Sequence, residues 1–245
     1  MRRFTLATAL FLGLSIVGTA AAAACTTTGF MRDGIDLTAA QIGGTAAGIV
    51  NATGCHIGVY MDNTNAGNVS NATIFGATYF GVVVNGDTGT VAADVKDSVF
   101  FGVGETPFKG AQHGAAVYYR ALGSGSLSGT ISGNLVVAYQ KGGIVVNGSG
   151  AQVDTVGNIV TGLGPVDFIA QNGIQYGFGA NGTVTDNDIS VNFYTGTVGV
   201  GPNPGGQNPP GWEYISAGLL LYQPGDVRHS GNRFSGNQRN VATVP

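Results

Sequence analysis

The sequence has 245 residues, of which 43 are glycine, 43% are hydrophobic and only 9% are charged. This apolar content excludes a disordered glycine-rich linker, because such linkers lack the residues that form a core. The formal net charge of −3 argues against nucleic-acid binding, which depends on clustered basic residues.

Residues 1–24 have the pattern of a secretory signal peptide. Arg2 and Arg3 form its basic start, Leu6–Val17 its apolar core, and Ala20–Ala24 the small residues of a cleavage site. The apolar core falls short of the roughly 18 residues that a membrane-spanning helix requires. No other stretch is apolar enough to span a bilayer as a helix. We therefore expect a secreted protein, extracellular or periplasmic, without a membrane span.

The sequence contains two cysteines, Cys25 and Cys55. In an oxidising compartment we predict a disulfide between them, which would tie the mature N-terminus to the first repeat. The alternative is lipidation of Cys25, because a cysteine directly after a cleavage site resembles a bacterial lipoprotein. Against this alternative, Ala22 stands where lipoprotein signals prefer a larger aliphatic residue.

Residues 25–54 are predicted to cap a repetitive domain that covers residues 55–245. A solenoid needs such a cap, since its first coil otherwise exposes an apolar end. We expect an irregular extra coil here, or a short helix near Leu37–Ile42. Asp33 and Asp36 are assigned to turns and not to a metal site, because no further acidic residue lies nearby to complete one.

Residues 55–245 repeat one pattern, in which a glycine opens a short apolar strand and a polar Asn or Asp follows. The opening glycines are Gly58, Gly81, Gly114, Gly143, Gly173 and Gly218. The polar residues are Asn71, Asp97, Asn134, Asn158, Asn187 and Asn232. Such recurrence, without a helix-length apolar period, is typical of a solenoid built from coils of strands. Stacked coils bury one continuous core, and we expect their asparagine side chains to form amide ladders.

Three insertions lengthen the same segment of different coils, at residues 102–113, 163–171 and 195–216. They should therefore project from one side of the solenoid, and insertions on one face often form the binding face. The longest contains the only tryptophan, Trp212, beside Glu213. One interpretation has Trp212 stack on a sugar ring while Glu213 binds hydroxyl groups. The other has Trp212 fold back and hold the loop to the solenoid.

In its frame of glycine, strand and asparagine, the chain resembles the right-handed parallel β-helix proteins that are often described as pectate-lyase-like. Their repeat reads G-I-x-V, a polar turn and V-x-x-N-x-I, and Val184, Asn187 and Ile189 match its second half. The resemblance implies an all-β fold, a single-stranded right-handed parallel β-helix (solenoid) of about six coils with an N-terminal cap. The chain departs from the pattern at Asp97, where the repeat has asparagine.

Many members of this family cleave acidic polysaccharides, and its polygalacturonase-like hydrolases carry the motifs NTD, DD, GHG and RIK. This chain has Asp186–Asp188 without the preceding pattern, a lone His113 between Gln and Gly, and no RIK. We therefore expect a secreted, non-catalytic solenoid without a cofactor. It would bind a surface polymer such as a carbohydrate on the insertion edge, or serve as a structural spacer.

The alternative function is a polysaccharide lyase or glycoside hydrolase on the same edge, and hydrolysis needs two carboxylates about 5–10 Å apart. The candidate catalytic residues are Glu105, Asp167 and Glu213. The candidate binding residues are Trp212 and Tyr214, for contact with a sugar, and Lys109 and Arg120, for neutralising charge. Open solenoid ends expose strand edges, so the sequence also permits end-to-end self-association.

Overall fold

The protein is described from a computed structural model that covers residues 21–196 and 216–245. These residues form 22 β-strands, and none of them lies in a helix, so the described part contains no helix that could cross a membrane. The first eleven strands are β1 (Thr26–Arg32), β2 (Ile35–Ile42), β3 (Gly44–Asn51), β4 (Ile57–Asp62), β5 (Gly67–Phe75), β6 (Phe80–Asn85), β7 (Thr90–Ala92), β8 (Val95–Lys96), β9 (Val99–Phe101), β10 (Ala115–Arg120) and β11 (Ser126–Ser132). The others are β12 (Leu135–Val137), β13 (Gly142–Asn147), β14 (Ala151–Val156), β15 (Ile159–Val166), β16 (Asn172–Gly177), β17 (Asn181–Thr185), β18 (Asp188–Tyr194), β19 (Ala217–Tyr222), β20 (Val227–Ser230), β21 (Arg233–Ser235) and β22 (Arg239–Val244).

The strands form two sheets, and the chain passes from one to the other in each repeat. The first sheet has the order β1-β2-β4-β6-β10-β13-β16-β19-β22. Only the β1–β2 pair is antiparallel, and every later pair in this sheet is parallel. Its strands are the glycine-and-aliphatic segments of the repeat. The predicted all-β class and the parallel pairing of repeats are therefore confirmed.

The second sheet has two arms that meet at β5. One arm runs β5-β8-β11-β14-β17-β20 and the other β5-β9-β12-β15-β18-β21, while β3 pairs with β5 and β7 with β11. All of these pairs are parallel. From β10 to β21, each repeat thus contributes one strand to the first sheet and one to each arm of the second.

One residue with a positive φ separates the two arms in each repeat. It is Asn71, Asp97, Gly133, Gly157, Asp186 or Gly231, with φ between 50° and 67°. Glycine, asparagine and aspartate are the residues that enter this left-handed conformation most readily, which explains the composition of the turn. The predicted repeat aligned Asn71 and Asp97 with Asn134. This alignment is wrong by one residue in those two repeats, because Asn71 and Asp97 are the polar turn residues and correspond to Gly133.

The residue after each turn joins successive repeats by hydrogen bonds. The Oδ1 atoms of Asn134, Asn158, Asn187 and Asn232 each accept a bond from the backbone N–H one repeat earlier, at 2.9–3.0 Å. The hydroxyl of Ser98 does the same for the N–H of Ala72 at 3.0 Å. Side-chain amides also bond to each other from Asn134 through Asn158 and Asn187 to Asn232. The predicted ladder is therefore present at these four asparagines, and it satisfies backbone as well as side-chain groups.

The two sheets enclose one apolar core. Inward residues of the first sheet form rows across the repeats, such as Val82, Val117, Ile144, Ile174 and Leu219. Each such side chain stabilises the fold by roughly 1.5–3 kcal/mol when it leaves water. A single repeat has no second layer against its inner face, so this stabilisation requires the stack.

The segment 25–54 forms strands of the same architecture. β2 pairs in parallel with β4, and β3 with β5. Leu37–Ile42 therefore lies in a strand, and the short helix considered for it is wrong. Cys25 and Cys55 form the predicted disulfide, 30 residues apart in sequence. Closing a loop of that length contributes roughly 3 kcal/mol, and the bond occupies the Cys25 sulfur that lipidation would need.

Candidate functional site

The outer face of the first sheet carries a groove of about 470 Å³. Outward residues form rows across the strands at its floor, and one row is Tyr118, Val145, Gln175 and Leu220. The residues that line the groove are Arg32, Phe80, Gln112, His113, Ala115, Tyr118, Arg120, Leu122, Lys141, Val145, Asn147, Phe168, Ile169, Ala170, Asn172, Gln175, Phe178, Tyr194, Leu220 and Tyr222. The surface therefore combines aromatic faces with amide and cationic groups.

Two of the three predicted insertions form one side of this groove. Residues 112–113 come from the first insertion and residues 168–170 from the second. Both insertions precede strands of the first sheet, β10 and β16, so both lie at the edge where those strands begin. The third insertion precedes β19 in sequence, and its residues 197–215 lie outside the described part of the chain. The shared position of the insertions in the repeat is what brings the first two together.

Two buried glutamines hold these insertions in place. Gln140 Oε1 accepts hydrogen bonds from the backbone N–H groups of Glu105 and Lys109, at 3.1 and 3.2 Å. Gln171 Oε1 accepts a bond from the N–H of Leu163 at 2.9 Å. Both glutamines are fully buried, and they lie two residues before β13 (Gln140) and directly before β16 (Gln171) in the first sheet. The rigid sheet thus fixes the backbone of both segments.

The groove has a positive electrostatic character. Three of its lining residues, Arg32, Arg120 and Lys141, are cationic, and none of the described residues that line it is acidic. Arg120 forms an ion pair with Asp87, whose Oδ2 atom is 2.7 Å from Nη2. The Nε atoms of Arg32 and Arg120 are buried and have no hydrogen-bond partner among the described residues. Arg32 Nε lies 3.9 Å from Oδ2 of Asp33, and both guanidinium groups lie over aromatic rings, those of Phe80 and Phe30.

Lys141 lies in this groove without a counter-charge. Its Nζ donates a hydrogen bond to the carbonyl of Ala170 at 2.8 Å, and no carboxylate lies within 4.0 Å of it among the described residues. Burial penalises the ammonium form and lowers the pKa of Lys141 to about 8. This site therefore disfavours the charged form of the Lys141 amine and favours the neutral form.

Phe178 is an exposed aromatic residue in a strained backbone conformation. Its φ is 57°, in the left-handed region that bulky residues rarely enter. Its side chain is 39% exposed, and its ring lies 5.2 Å from that of Tyr222. Strain of this kind persists where the surrounding structure imposes it, and it is concentrated at functional sites. Phe178 is therefore the lining residue best placed to stack on a ligand.

Of the predicted binding residues on the first insertion and β10, only Arg120 lines the groove. Lys109 forms an ion pair with Glu105, with 2.8 Å between Nζ and Oε1, and neither residue is part of the lining. The same Oε1 lies 3.5 Å from Nε2 of His113, which does line the groove and whose pKa burial lowers. Glu105 is thus directed to its own insertion and not to the groove.

The other predicted site residues are dispersed or lie outside the described part. Asp167 is exposed, and neither it nor Glu105 lines the groove. Their catalytic role therefore stays a sequence-based prediction. Trp212, Glu213 and Tyr214 lie outside the described residues.

Sequence reasoning missed four residues of the site: Lys141, Asn147, Gln175 and Phe178. Asn147 and Gln175 occupy outward positions of the repeated strand, and Gln175 Nε2 donates to Asn147 Oδ1 at 3.2 Å. An alignment of the six opening strands would have placed Gln175 in an outward column with Tyr118, Val145 and Leu220, and Asn147 in a strand-end column with Asp62, Asn85 and Arg120. Lys141 could have been found as a charge in a charge-poor chain directly before such a strand.

Among the described residues, no group of three or more His, Cys, Asp or Glu side chains could hold a metal ion. No protein-family model, curated protein or solved structure matched this sequence. The interpretation of the groove therefore rests on its own chemistry.

Proposed function

We propose that this chain is a secreted right-handed parallel β-helix of about six coils, capped by residues 25–54, that binds a surface carbohydrate polymer along the groove. The observation that carries the proposal is the lining itself. It joins an exposed aromatic ring at Phe178 to amides at Asn147 and Gln175 and to the guanidinium of Arg120. Ligand sites commonly combine apolar faces with a few converging polar groups.

The rigidity of the floor supports this proposal. The groove residues on β10, β13, β16 and β19 project from paired parallel strands. A binding surface of this kind is organised before the ligand arrives, and so little entropy is lost on binding. The rows of outward residues repeat at the spacing of adjacent strands, which suits a ligand that is itself a chain of units.

The lining favours binding over cleavage. Hydrolysis of a glycosidic bond uses two carboxylates that flank it, whereas neither Glu105 nor Asp167 lines the groove. Its cationic groups favour acidic over neutral polymers. A polysaccharide lyase or glycoside hydrolase is the alternative, and it would depend on Glu213 and on a second acid brought to the groove.

The function is tested by titrating the mature protein with acidic and neutral polysaccharides while recording the fluorescence of Trp212. We expect a saturable signal with an acidic polymer. We also expect the variant Phe178→Ala to bind the same polymer about tenfold more weakly, because an anchoring aromatic residue typically contributes 1–3 kcal/mol. Calorimetric titration provides the second readout, since it does not depend on Trp212.

The matched control is Phe75→Ala. The Phe75 ring stacks on Phe101, with 4.9 Å between centroids, and neither residue lines the groove. This variant should retain the affinity of the parent. Binding of no polymer, or equal weakening in Phe75→Ala and Phe178→Ala, would contradict the proposal. Release of shortened products would instead favour the enzymatic alternative.

A further inference from the structure

The three lysines of the chain differ in what their amines contact. Lys96 Nζ lies 2.8 Å from Oδ2 of Asp94, and Lys109 Nζ lies 2.8 Å from Oε1 of Glu105. Lys141 Nζ contacts only the neutral carbonyl of Ala170 in the hydrogen bonds described above. One lysine therefore stands apart from the two that are held in ion pairs.

The surroundings of Lys141 combine an apolar side with an open one. Val145, Phe168 and Ile169 line the same groove and exclude water from part of it. The backbone carbonyl of Ala170 fixes the position of Nζ, and the groove leaves room for a small molecule beside it. A lysine in such a place differs from a surface lysine, whose amine is fully hydrated.

The reactivity of a lysine depends on its neutral form. Burial lowers the pKa of Lys141 to about 8, so about a tenth of the amine is neutral at pH 7. A desolvated lysine in a pocket is a known form of activated nucleophile towards carbonyl compounds. The geometry supplies two further requirements: access from the groove, and, among residues 21–196 and 216–245, no carboxylate within 4.0 Å of Nζ that would hold the proton.

We propose that Lys141 is a covalent binding site for a small aldehyde or ketone that carries hydroxyl groups. The neutral amine attacks the carbonyl carbon, and as the new N–C bond forms the nitrogen loses one proton while the carbonyl oxygen gains one. The carbinolamine then loses one water, which carries the former carbonyl oxygen and the two amine hydrogens. The product is an imine, with C=N in place of C=O, and no oxidant or reductant is consumed.

The polar groups around the groove indicate the class of carbonyl compound. Gln175 and Asn147 present amides, and Arg120 presents a guanidinium, in the same lining as Lys141. These groups bind hydroxyl oxygens and leave a bare aliphatic aldehyde without polar partners. The inference does not depend on the proposed function, since a small carbonyl compound would occupy Lys141 whether or not a polymer binds.

The test exposes the folded protein to glyceraldehyde with cyanoborohydride, which reduces any imine to a stable secondary amine. Peptide mapping by mass spectrometry then compares the three lysines in one sample. We expect the adduct at Lys141 to exceed those at Lys96 and Lys109 by about tenfold near pH 8, where half of its amine is neutral. In denaturant the three lysines should react alike, because the environment of Lys141 is lost.

A matched pair of variants tests the cause of this preference. Ala170→Asp adds a carboxylate to the residue whose carbonyl holds Nζ, and it should reduce the adduct at Lys141 to the level of the two paired lysines. Ala170→Asn has the same size without the charge and should retain the preference. Equal labelling of all three lysines in the folded parent would overturn the proposal. So would a preference that survives Ala170→Asp, because simple exposure would then explain it.

Discussion

Replacing Asn158 with alanine is expected to lower the free energy of unfolding by about 4 kcal/mol. The side chain is fully buried. Its Oδ1 accepts from the backbone N–H of Asn134 at 3.0 Å, and its Nδ2 donates to the carbonyl of Ile131 and to Oδ1 of Asn187, both at 2.9 Å. Alanine leaves the first two of these partners buried without a bond. Each orphaned group costs about 1–3 kcal/mol, and a cavity adds to the loss.

Urea denaturation followed by circular dichroism measures this effect. The control is Asn63→Ala, which removes an exposed asparagine from the turn after β4 and should change the stability by less than about 0.5 kcal/mol. If Asn158→Ala cost no more than Asn63→Ala, the ladder would contribute nothing to stability. The repeats would then be held by the apolar core alone.

Replacing Gly182 with alanine is expected to have a still larger effect and to prevent folding or cost at least about 5 kcal/mol. Gly182 has a φ of 141°, in a region that is essentially restricted to glycine. A Cβ atom there would lie 1.7 Å from the carbonyl oxygen of Val153. Both atoms belong to backbones fixed by the β14–β17 pairing, so no side-chain rotation relieves the clash.

The matched control for this variant is Gly157→Asn. Gly157 also has a positive φ, 65°, but a Cβ there meets nothing within 4 Å. Aspartate occupies the equivalent turn position at residue 186 with a φ of 58°. We expect a change within about 1 kcal/mol, because asparagine tolerates the left-handed region. Soluble expression and thermal unfolding compare the two variants, and a stable Gly182→Ala protein would refute the steric argument.

The sequence allowed the architecture to be predicted better than the site. Gly143 and Asn158 recur at positions with one structural role each, close backbone packing and a buried hydrogen bond. That role leaves the same residue type in repeat after repeat. Asn71 was assigned to the ladder position because both the ladder and the left-handed turn accept asparagine. The distinction depends on φ, which a residue's identity does not determine.

The groove could not be read from the sequence for a different reason. Val82 and Val83 are adjacent and chemically identical, yet Val82 packs in the core between the sheets and Val83 in a separate apolar cluster on the opposite face of the first sheet. The loops that border the groove also depend on long-range contacts, such as the hold of Gln140 on the backbone at Glu105. The ion pair of Lys109 with Glu105 is local, at a separation of four residues. The two side chains bind each other, and neither lines the groove.

The ladder also bears on how such a chain can lengthen. A unit can be defined as the residues from one ladder asparagine up to the next. The Oδ1 atom of its asparagine accepts a bond from the unit before it, and the backbone N–H of the same asparagine donates a bond to the unit after it. The segment from Asn158 to the residue before Asn187, a step of 29 residues, is such a unit. Tandem duplication of that segment would leave no ladder bond unmade at either junction. A gene that encodes this protein could therefore gain or lose whole turns by unequal recombination while every product keeps an unbroken ladder.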